Sequence, residues 1–381
     1  MMQKTELYQR TLEHFLAPIW HFINDESVSE IMVNGPHRVY VERRGRIEAT
    51  DCGFSDDAAL LAAIRNIAEF VGRPIDRNHH SVDARLPDGS RVHAIIPPSS
   101  RVGICLTIRR FQQSAFDLRQ LISCGSLSEQ AAEFLSLCVM LHKNIIISGG
   151  TGTGKTSMLN ALSTAIPENE RIIVIEDSSE LQLRQPHTVY LESQPPAPDG
   201  QGGVTIRDLF VDSLRMRPDR IVVGEVRRGE ALDLIQSMIS GHAGSMSTVH
   251  ANTPRDAASR LETLCLMSDT NLPVHVARAQ VASAVHLVLQ LARFSDGSRR
   301  VTQISESLGL DERDGYTWRD LFMFRGNGRN ADGGIRGELT ATGERPGFSS
   351  EPFQFGLDHE IRTTSDLFRA ATAASASPSR K

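Results

Sequence analysis

The sequence predicts an α/β protein, a parallel sheet with helices on both faces, preceded by a smaller α+β domain. Three observations carry this. The apolar run Asn144 to Ser148 leads into Gly149-Gly150-Thr151-Gly152-Thr153-Gly154-Lys155-Thr156, a match to G-x-x-x-x-G-K-[ST] without a mismatch. Two further apolar runs, Arg171 to Ile175 and Arg220 to Val223, deliver acids at their carboxyl ends. After Glu129, short β-branched runs alternate with helix-length segments, as parallel strands and their covering helices do.

The glycine-rich stretch reads as a phosphate-binding loop between a buried strand and a helix that begins near Ser157. Its glycines, Gly149, Gly150, Gly152 and Gly154, permit backbone angles that turn successive N–H groups inward, and the positive end of the helix faces the same anion. Lys155 is expected to reach the β and γ phosphates and the Thr156 hydroxyl to bind Mg²⁺, with Thr151, Thr153 and Ser157 completing the cradle. The bland alternative, a glycine turn that holds nothing, leaves the strand, motif and helix agreement unexplained.

Composition narrows the function classes. The chain has 381 residues, enough for two or three domains, and 41 Lys and Arg against 46 Asp and Glu give a net charge of -5. That balance offers no global pull toward nucleic acid or anionic lipid. The five cysteines, Cys52, Cys105, Cys124, Cys138 and Cys265, form no C-x-x-C or zinc spacing, which suits a reducing cytosol. Charged residues run through positions 1 to 20, and nowhere do 18 apolar residues follow one another, so neither a cleavable signal nor a membrane span is expected.

In order along the chain, Leu7, Leu12, Phe15, Leu16 and Ile19 have helix-compatible spacing. Strands follow at Glu30 to Val33 and Val39 to Glu42 around the turn Asn34-Gly35-Pro36, with a second hairpin at Arg43-Arg44-Gly45-Arg46. A helix from Asp56 to Val71 takes Ser55 as its cap. Asp88-Gly89 turns a hairpin around which Arg85, Arg91, Arg101, Arg109 and Arg110 gather. They are either solvated arginines or the source of one or two guanidinium contacts to a nucleotide's γ-phosphate. The expected organisation is an α+β domain at 1–115, a linker at 116–128, a motor domain at 129–325 and an extension at 326–381 whose tail from Thr363 frays.

The acids at the strand ends are Glu176 and Asp177, with Glu180 one turn further, and Glu225. In open α/β sheets ligands gather at the carboxyl ends of strands, so Glu176 and Glu225 are placed to orient a water, accept its proton or hold Mg²⁺ directly or through water. Which glutamate does which stays open. His242 and His250 flank a glycine-hinged strand, and Thr253-Pro254 opens the next helix. The histidines read as a polar sensor of the γ-phosphate or of a neighbouring subunit, against packing histidines or a metal pair that lacks a third ligand.

Met32-Val33-Asn34-Gly35, Arg85 to Val92, Ser148 to Thr156, Ile175 to Leu181, Arg215 to Arg227 and the double-histidine box occur in this order. Together they resemble the secretion ATPase superfamily, most closely the CpaF-type ATPases of tight-adherence (Flp) pili. The resemblance covers Thr5 to Arg325. It implies a RecA-like P-loop NTPase motor and an Mg²⁺-dependent ATPase. Six two-domain subunits would form a ring with nucleotide between the domains, docked on inner-membrane platform proteins at the cytoplasmic face. Family roles map onto the phosphate loop, Glu176, Glu225, His242 and His250, and the family's N-terminal arginines onto Arg91, Arg101 or Arg109. The four-cysteine zinc insertion of type II relatives is missing, which favours the tight-adherence and type IV branch. Two departures stand out: Ala243 where an aspartate is commoner, and the stretch from Asn327 onward, which matches no family motif. Competing readings are a type IV secretion traffic ATPase, a nucleic-acid translocating motor and a nucleotide-gated scaffold that does not cycle. The acidic balance and the lack of a base-stacking aromatic cluster argue against nucleic acid.

Overall fold

The computed structural model describes residues 2–43, 45–111, 116–196, 200–330 and 333–370, with side chains from Tyr8 onward at the amino end. The chain divides into two compact units, residues 1–114 and 115–381.

The first unit contains α1 (Met2–Phe15), α2 (Trp20–Ile23), β1 (Val28–Asn34), β2 (Val39–Arg43), β3 (Arg46–Ala49), α3 (Asp57–Phe70), β4 (Ser81–Arg85), β5 (Arg91–Ile95) and β6 (Cys105–Arg109). Its strands form an antiparallel sheet in the order β3-β2-β1-β6-β5-β4. Period-two patterning separates the two faces. Ile31, Val41, Val92 and Ile108 are buried in one core with Leu60, Ile64 and Ile67 of α3. On the other face the register sets Glu42, Glu30, Arg109, Arg91 and Arg85 in one row across five strands.

Two expectations are corrected here. The cap of α3 is Asp56, whose carboxylate accepts the Ala59 N–H, and not Ser55, because the helix begins at Asp57 and its cap is the residue just before it. Arg110 does not belong to the arginine cluster. Its guanidinium donates to the backbone carbonyls of Ile23, Asp25 and Val28, which makes it a structural tie. The Arg43-to-Arg46 hairpin joins β2 to β3, and Arg44 lies outside the described residues.

The second unit runs α4 (Leu118–Ser123), α5 (Glu129–Met140), β7 (Ile145–Gly149), α6 (Lys155–Ser163), β8 (Ile172–Glu176), β9 (Thr188–Glu192), α7 (Ile206–Ser213), β10 (Arg220–Val223), α8 (Glu230–Ile239), β11 (Met246–Val249), α9 (Pro254–Leu266), α10 (Val274–Ala284), β12 (Leu287–Arg293), β13 (Arg299–Leu310), β14 (Tyr316–Arg329), β15 (Ile335–Ala341) and α11 (Glu351–Gln354). The sheet order is β15-β14-β13-β12-β7-β11-β10-β8-β9. Strands β12, β7, β11, β10, β8 and β9 run parallel, while β13, β14 and β15 extend the sheet as antiparallel hairpins.

Every residue of β7, β8, β10 and β11 is buried, as a sheet covered on both faces requires. Alternate side chains feed two cores. Ile145, Ile147, Ile172, Val174 and Val222 pack with α5 and α6, whereas Ile146, Ile173, Ile175, Ile221 and Val223 pack with α8, α9 and α10.

The carboxyl-terminal stretch departs from expectation. Strand β14 runs straight through the anticipated boundary at 325, so the region beyond it continues the same sheet. Nor does the tail fray at Thr363. Glu133 of α5 accepts the backbone N–H groups of Arg362, Thr363 and Thr364 and both threonine hydroxyls. Leu367 and Phe368 are buried, Phe368 stacking on Phe134. One acid on an otherwise amphipathic helix thus fixes a segment that sequence periodicity cannot place. Residues 371–381 lie outside the described set.

Candidate nucleotide site

Because β7, β11, β10 and β8 are parallel neighbours, their carboxyl ends share one edge of the sheet. The phosphate loop leaves β7 there. A Cβ on Gly149 would stand 2.5 Å from Thr153 Oγ1 and 2.9 Å from the Leu291 carbonyl oxygen, so only glycine fits where the loop folds back. Gly154, at φ 91°, caps α6 in the left-handed region. Within the loop Thr153 Oγ1 donates to the Gly150 carbonyl at 2.9 Å. Lys155 is buried, and its Nζ donates to the Gly149 and Gly150 carbonyls at 3.0 Å and stands 3.3 Å from His250 Nδ1. Thr156 and Ser157 occupy the first turn of α6.

The two glutamates differ in what surrounds them. Glu176 closes β8 and is buried, and its Oε1 accepts the N–H groups of Glu180 and Leu181 at 2.9 and 3.1 Å. Burial pushes its carboxyl up to about 7, more than those two hydrogen bonds pull it down. Gly224 makes room for it, since a Cβ there would stand 2.9 Å from Glu176 Cγ. Glu225 lies just past β10. Burial raises its pKa, yet the Arg227 hydrogen bond and the charges of Arg227, His250 and Lys155 outweigh burial and hold it below the usual carboxylate range. Its Oε2 accepts from Arg227 Nη2 at 2.8 Å, and Arg227 Nη1 donates to Asp177 at 2.6 Å, so one guanidinium joins the ends of β8 and β10. Oε1 lies 2.8 Å from His250 Nε2 but out of line with it, and this buried oxygen has no aligned hydrogen-bond donor among the described residues. Burial, then the Lys155, Arg227 and Arg260 charges, lower the His250 pKa against the pull of Glu225, favouring a neutral ring.

The acid hydrogen-bonded to Thr156 is Glu180, whose Oε2 accepts the hydroxyl at 3.2 Å. Glu176 instead accepts the Glu180 and Leu181 N–H groups of the turn that presents Glu180. A γ-phosphate contact of His242 within its own protomer is corrected by strand direction. His242 precedes β11, whose first residue pairs with the first residue of β7, so it lies at the opposite edge of the sheet from Gly149. His242 and His250 therefore sit at opposite ends of one strand and cannot share a metal. Arg91 and Arg109 are neighbours in register within the first unit, and Arg101 follows β5 in a turn.

Motif reading assigned no role to two groups. Arg227 carried no signal beyond its place in the strand motif. Arg299 donates from Nε to the Gly152 carbonyl at 2.8 Å from 147 residues away, and nothing local announces such a contact.

The donor set suits a nucleoside triphosphate and a divalent cation. A glycine cradle and a lysine face the hydroxyl of Thr156, the carboxylate of Glu180 and the donorless Oε1 of Glu225. The family described as Type II/IV secretion system protein matches residues 13–324. The chain belongs to the type II/IV secretion ATPases. It is 33% identical over 330 residues to the type IV secretion system protein VirB11 of Bartonella quintana, covering 76% of this chain and 91% of that one. Similarity to the type IV secretion system protein PtlH of Bordetella pertussis is 32% over 318 residues, covering 77% and 94%. Among solved structures, the ATPase DotB of Legionella pneumophila aligns with a TM-score of 0.54 at 19% identity, over 79% of this chain and 82% of that chain, a likeness of fold. As a member, the chain is an ATP-hydrolysing enzyme. No helix of the described residues is long and apolar enough to cross a membrane.

Proposed function

We propose that this chain is an Mg²⁺-dependent ATPase of the CpaF type. It would work as a homo-hexamer on inner-membrane platform proteins at the cytoplasmic face and drive pilus assembly or protein secretion. One observation carries the chemistry: Lys155, Glu225 and His250 converge on the mouth of an intact phosphate loop at the carboxyl edge of the sheet. Lys155 and the loop N–H groups hold the β and γ phosphates. Glu225, kept ionised by Arg227, offers Oε1 to the attacking water and takes its proton. Thr156 and Glu180 are the groups that would hold Mg²⁺, which when bound neutralises charge growing on the phosphate oxygens. Glu176 acts one step removed by fixing the turn before Glu180.

Arg91, Arg109 and Arg101 remain the proposed γ-phosphate contacts, on the strength of the family motif. His250 reads the charge state of Glu225 and Lys155. A type IV secretion role is the second reading, supported by the names of the VirB11 and PtlH relatives.

Phosphate release from purified protein, with sizing under ATP, tests the proposal. Glu225→Gln is expected to bind ATP and hydrolyse it about 100-fold more slowly. A Glu225→Gln protein with normal turnover would remove the base from this residue. Stimulation by single-stranded DNA would favour a nucleic-acid motor. Identifying the membrane proteins that co-purify with the solubilised ring separates pilus from secretion machinery.

A further inference from the structure

We propose that the carboxyl-terminal hairpins set nucleotide affinity by holding the phosphate loop from outside, with Arg299 as the positioning residue. The inference rests on the reading of this loop as the ATP site.

Arg299 opens β13 directly opposite Arg293 of β12. Besides its bond to the Gly152 carbonyl, its Cδ lies 3.5 Å from where a Cβ on Gly154 would stand, and Arg293 Nη1 lies 3.5 Å from the matching point on Gly152. The consequence follows from the peptide plane. The Gly152 carbonyl and the Thr153 N–H belong to one rigid unit and point in opposite directions. A cation that draws the carbonyl outward therefore aims the N–H inward, toward the anion. Gly152 and Gly154 both sit at positive φ, 71° and 91°, on a loop rich in a residue that loses much freedom on ordering, so an outside brace has something to fix.

The brace is itself supported. Asp296, in the turn between β12 and β13, accepts the Ser298 N–H and hydroxyl at 2.9 and 2.7 Å and the Ile335 N–H of β15 at 2.6 Å. Those bonds hold its carboxyl at about 2. Arg329 donates to Ser295 at 2.9 Å. Arg300 donates to the Ile335 and Gly337 carbonyls at 2.7 and 3.1 Å, with its guanidinium 6.0 and 5.4 Å from the Phe294 and Phe324 ring centres. From the other side, Ser126 Oγ donates to the Arg299 carbonyl, and the Val301 N–H donates to the Ser126 carbonyl. The family match stops at residue 324, so Arg329 and β15, which buttress the turn, lie past the shared region. Arg299 itself lies inside the matched region, while part of its support comes from the stretch that matches no motif.

Binding of a fluorescent ADP analogue to the full chain, with hydrogen exchange of residues 150–156, tests this. Arg299→Ala is expected to weaken binding about threefold to tenfold, the range for one ordinary net hydrogen bond, and to speed exchange in the loop, while Arg299→Lys restores most of both. Asp296→Ala is expected to weaken binding about twofold, and the double variant to bind no worse than Arg299→Ala alone, as a shared route requires. Thermal melting checks folding, and Arg299→Gln replaces Arg299→Ala if the latter does not fold. Unchanged affinity and exchange in the Arg299 variants, or effects of Arg299 and Asp296 that multiply, would overturn the inference. If the wild-type chain binds no nucleotide, the site reading itself falls, and the inference with it.

Discussion

At the amino edge of the parallel strands, Asn144 donates to the Ala284 and Met238 carbonyls and accepts the Gly244 and Ser245 N–H groups, and its own N–H reaches His286 Nδ1. Arg220, fully buried beside it, pairs with Glu170 and donates to the Val139 and Gly244 carbonyls. At the carboxyl edge, Glu176 is pushed up to about 7, Glu225 is held down, His250 is driven toward neutrality, and Glu225 Oε1 has no aligned donor among the described residues. Both edges are polar. At the amino edge the Asn144 and Arg220 side chains are spent on backbone carbonyls, N–H groups and Glu170 and so serve the fold, while the carboxyl edge sets Glu225, Lys155 and His250 against one another around the phosphate loop, the condition in which a site can move protons and bind charge.

The largest expected effect is at the carboxyl edge. Lys155→Ala should lower phosphate release by about 10³-fold or more with circular dichroism unchanged, since it deletes the main cation facing the phosphates. Full turnover in that variant would erase the distinction between the edges.

At the amino edge the loss should be of stability instead. Arg220→Met leaves Glu170 with His142 as its remaining ionic partner. Denaturant unfolding should report about 3 kcal/mol less, because a partly buried charge loses its pair. A drop in activity without a drop in midpoint would contradict the assignment of that edge to the fold.

A smaller effect distinguishes the two glutamates by pH. The Glu176 pKa is raised from 4.5 to about 7, so the stability it contributes is complete below about 4.5 and is lost as pH rises through about 7. Glu176→Gln mimics the protonated form and should remove that decline, narrowing the gap in melting temperature between pH 5 and pH 8 relative to wild type. Parallel pH curves for the two proteins would mean that Glu176 is ionised throughout.

His242→Ala should have the least effect on the site. Placed at the amino edge, it is expected to leave ADP affinity within about twofold of wild type, the scale of substitutions remote from a binding group. A tenfold loss would bring His242 back to the phosphates.

What could be read from the sequence follows the same division. The phosphate loop was legible because its chemistry is contiguous: glycines, lysine and threonine act within a single turn of chain. The parallel strands were legible because they are buried on both faces and therefore uniformly apolar. Which carboxylate meets Thr156 was not legible, since Glu176 and Glu180 are four residues apart and only the turn between them decides which one faces the hydroxyl. His242 is a different case. In a parallel sheet the residue before a strand and the residue after it lie at opposite edges, so strand direction alone separates it from His250. Arg299 and Glu133 act across 147 and 229 residues or more, where no local pattern reaches.

The grip of Glu133 on residues 362–364 has a practical side. A deletion series that stops short of Thr363 would strip Phe368 from Phe134 and Leu367 from the same core, and leave a greasy surface prone to clumping during purification. Expression trimming is better begun beyond Ala370, where an affinity handle would leave that seam intact.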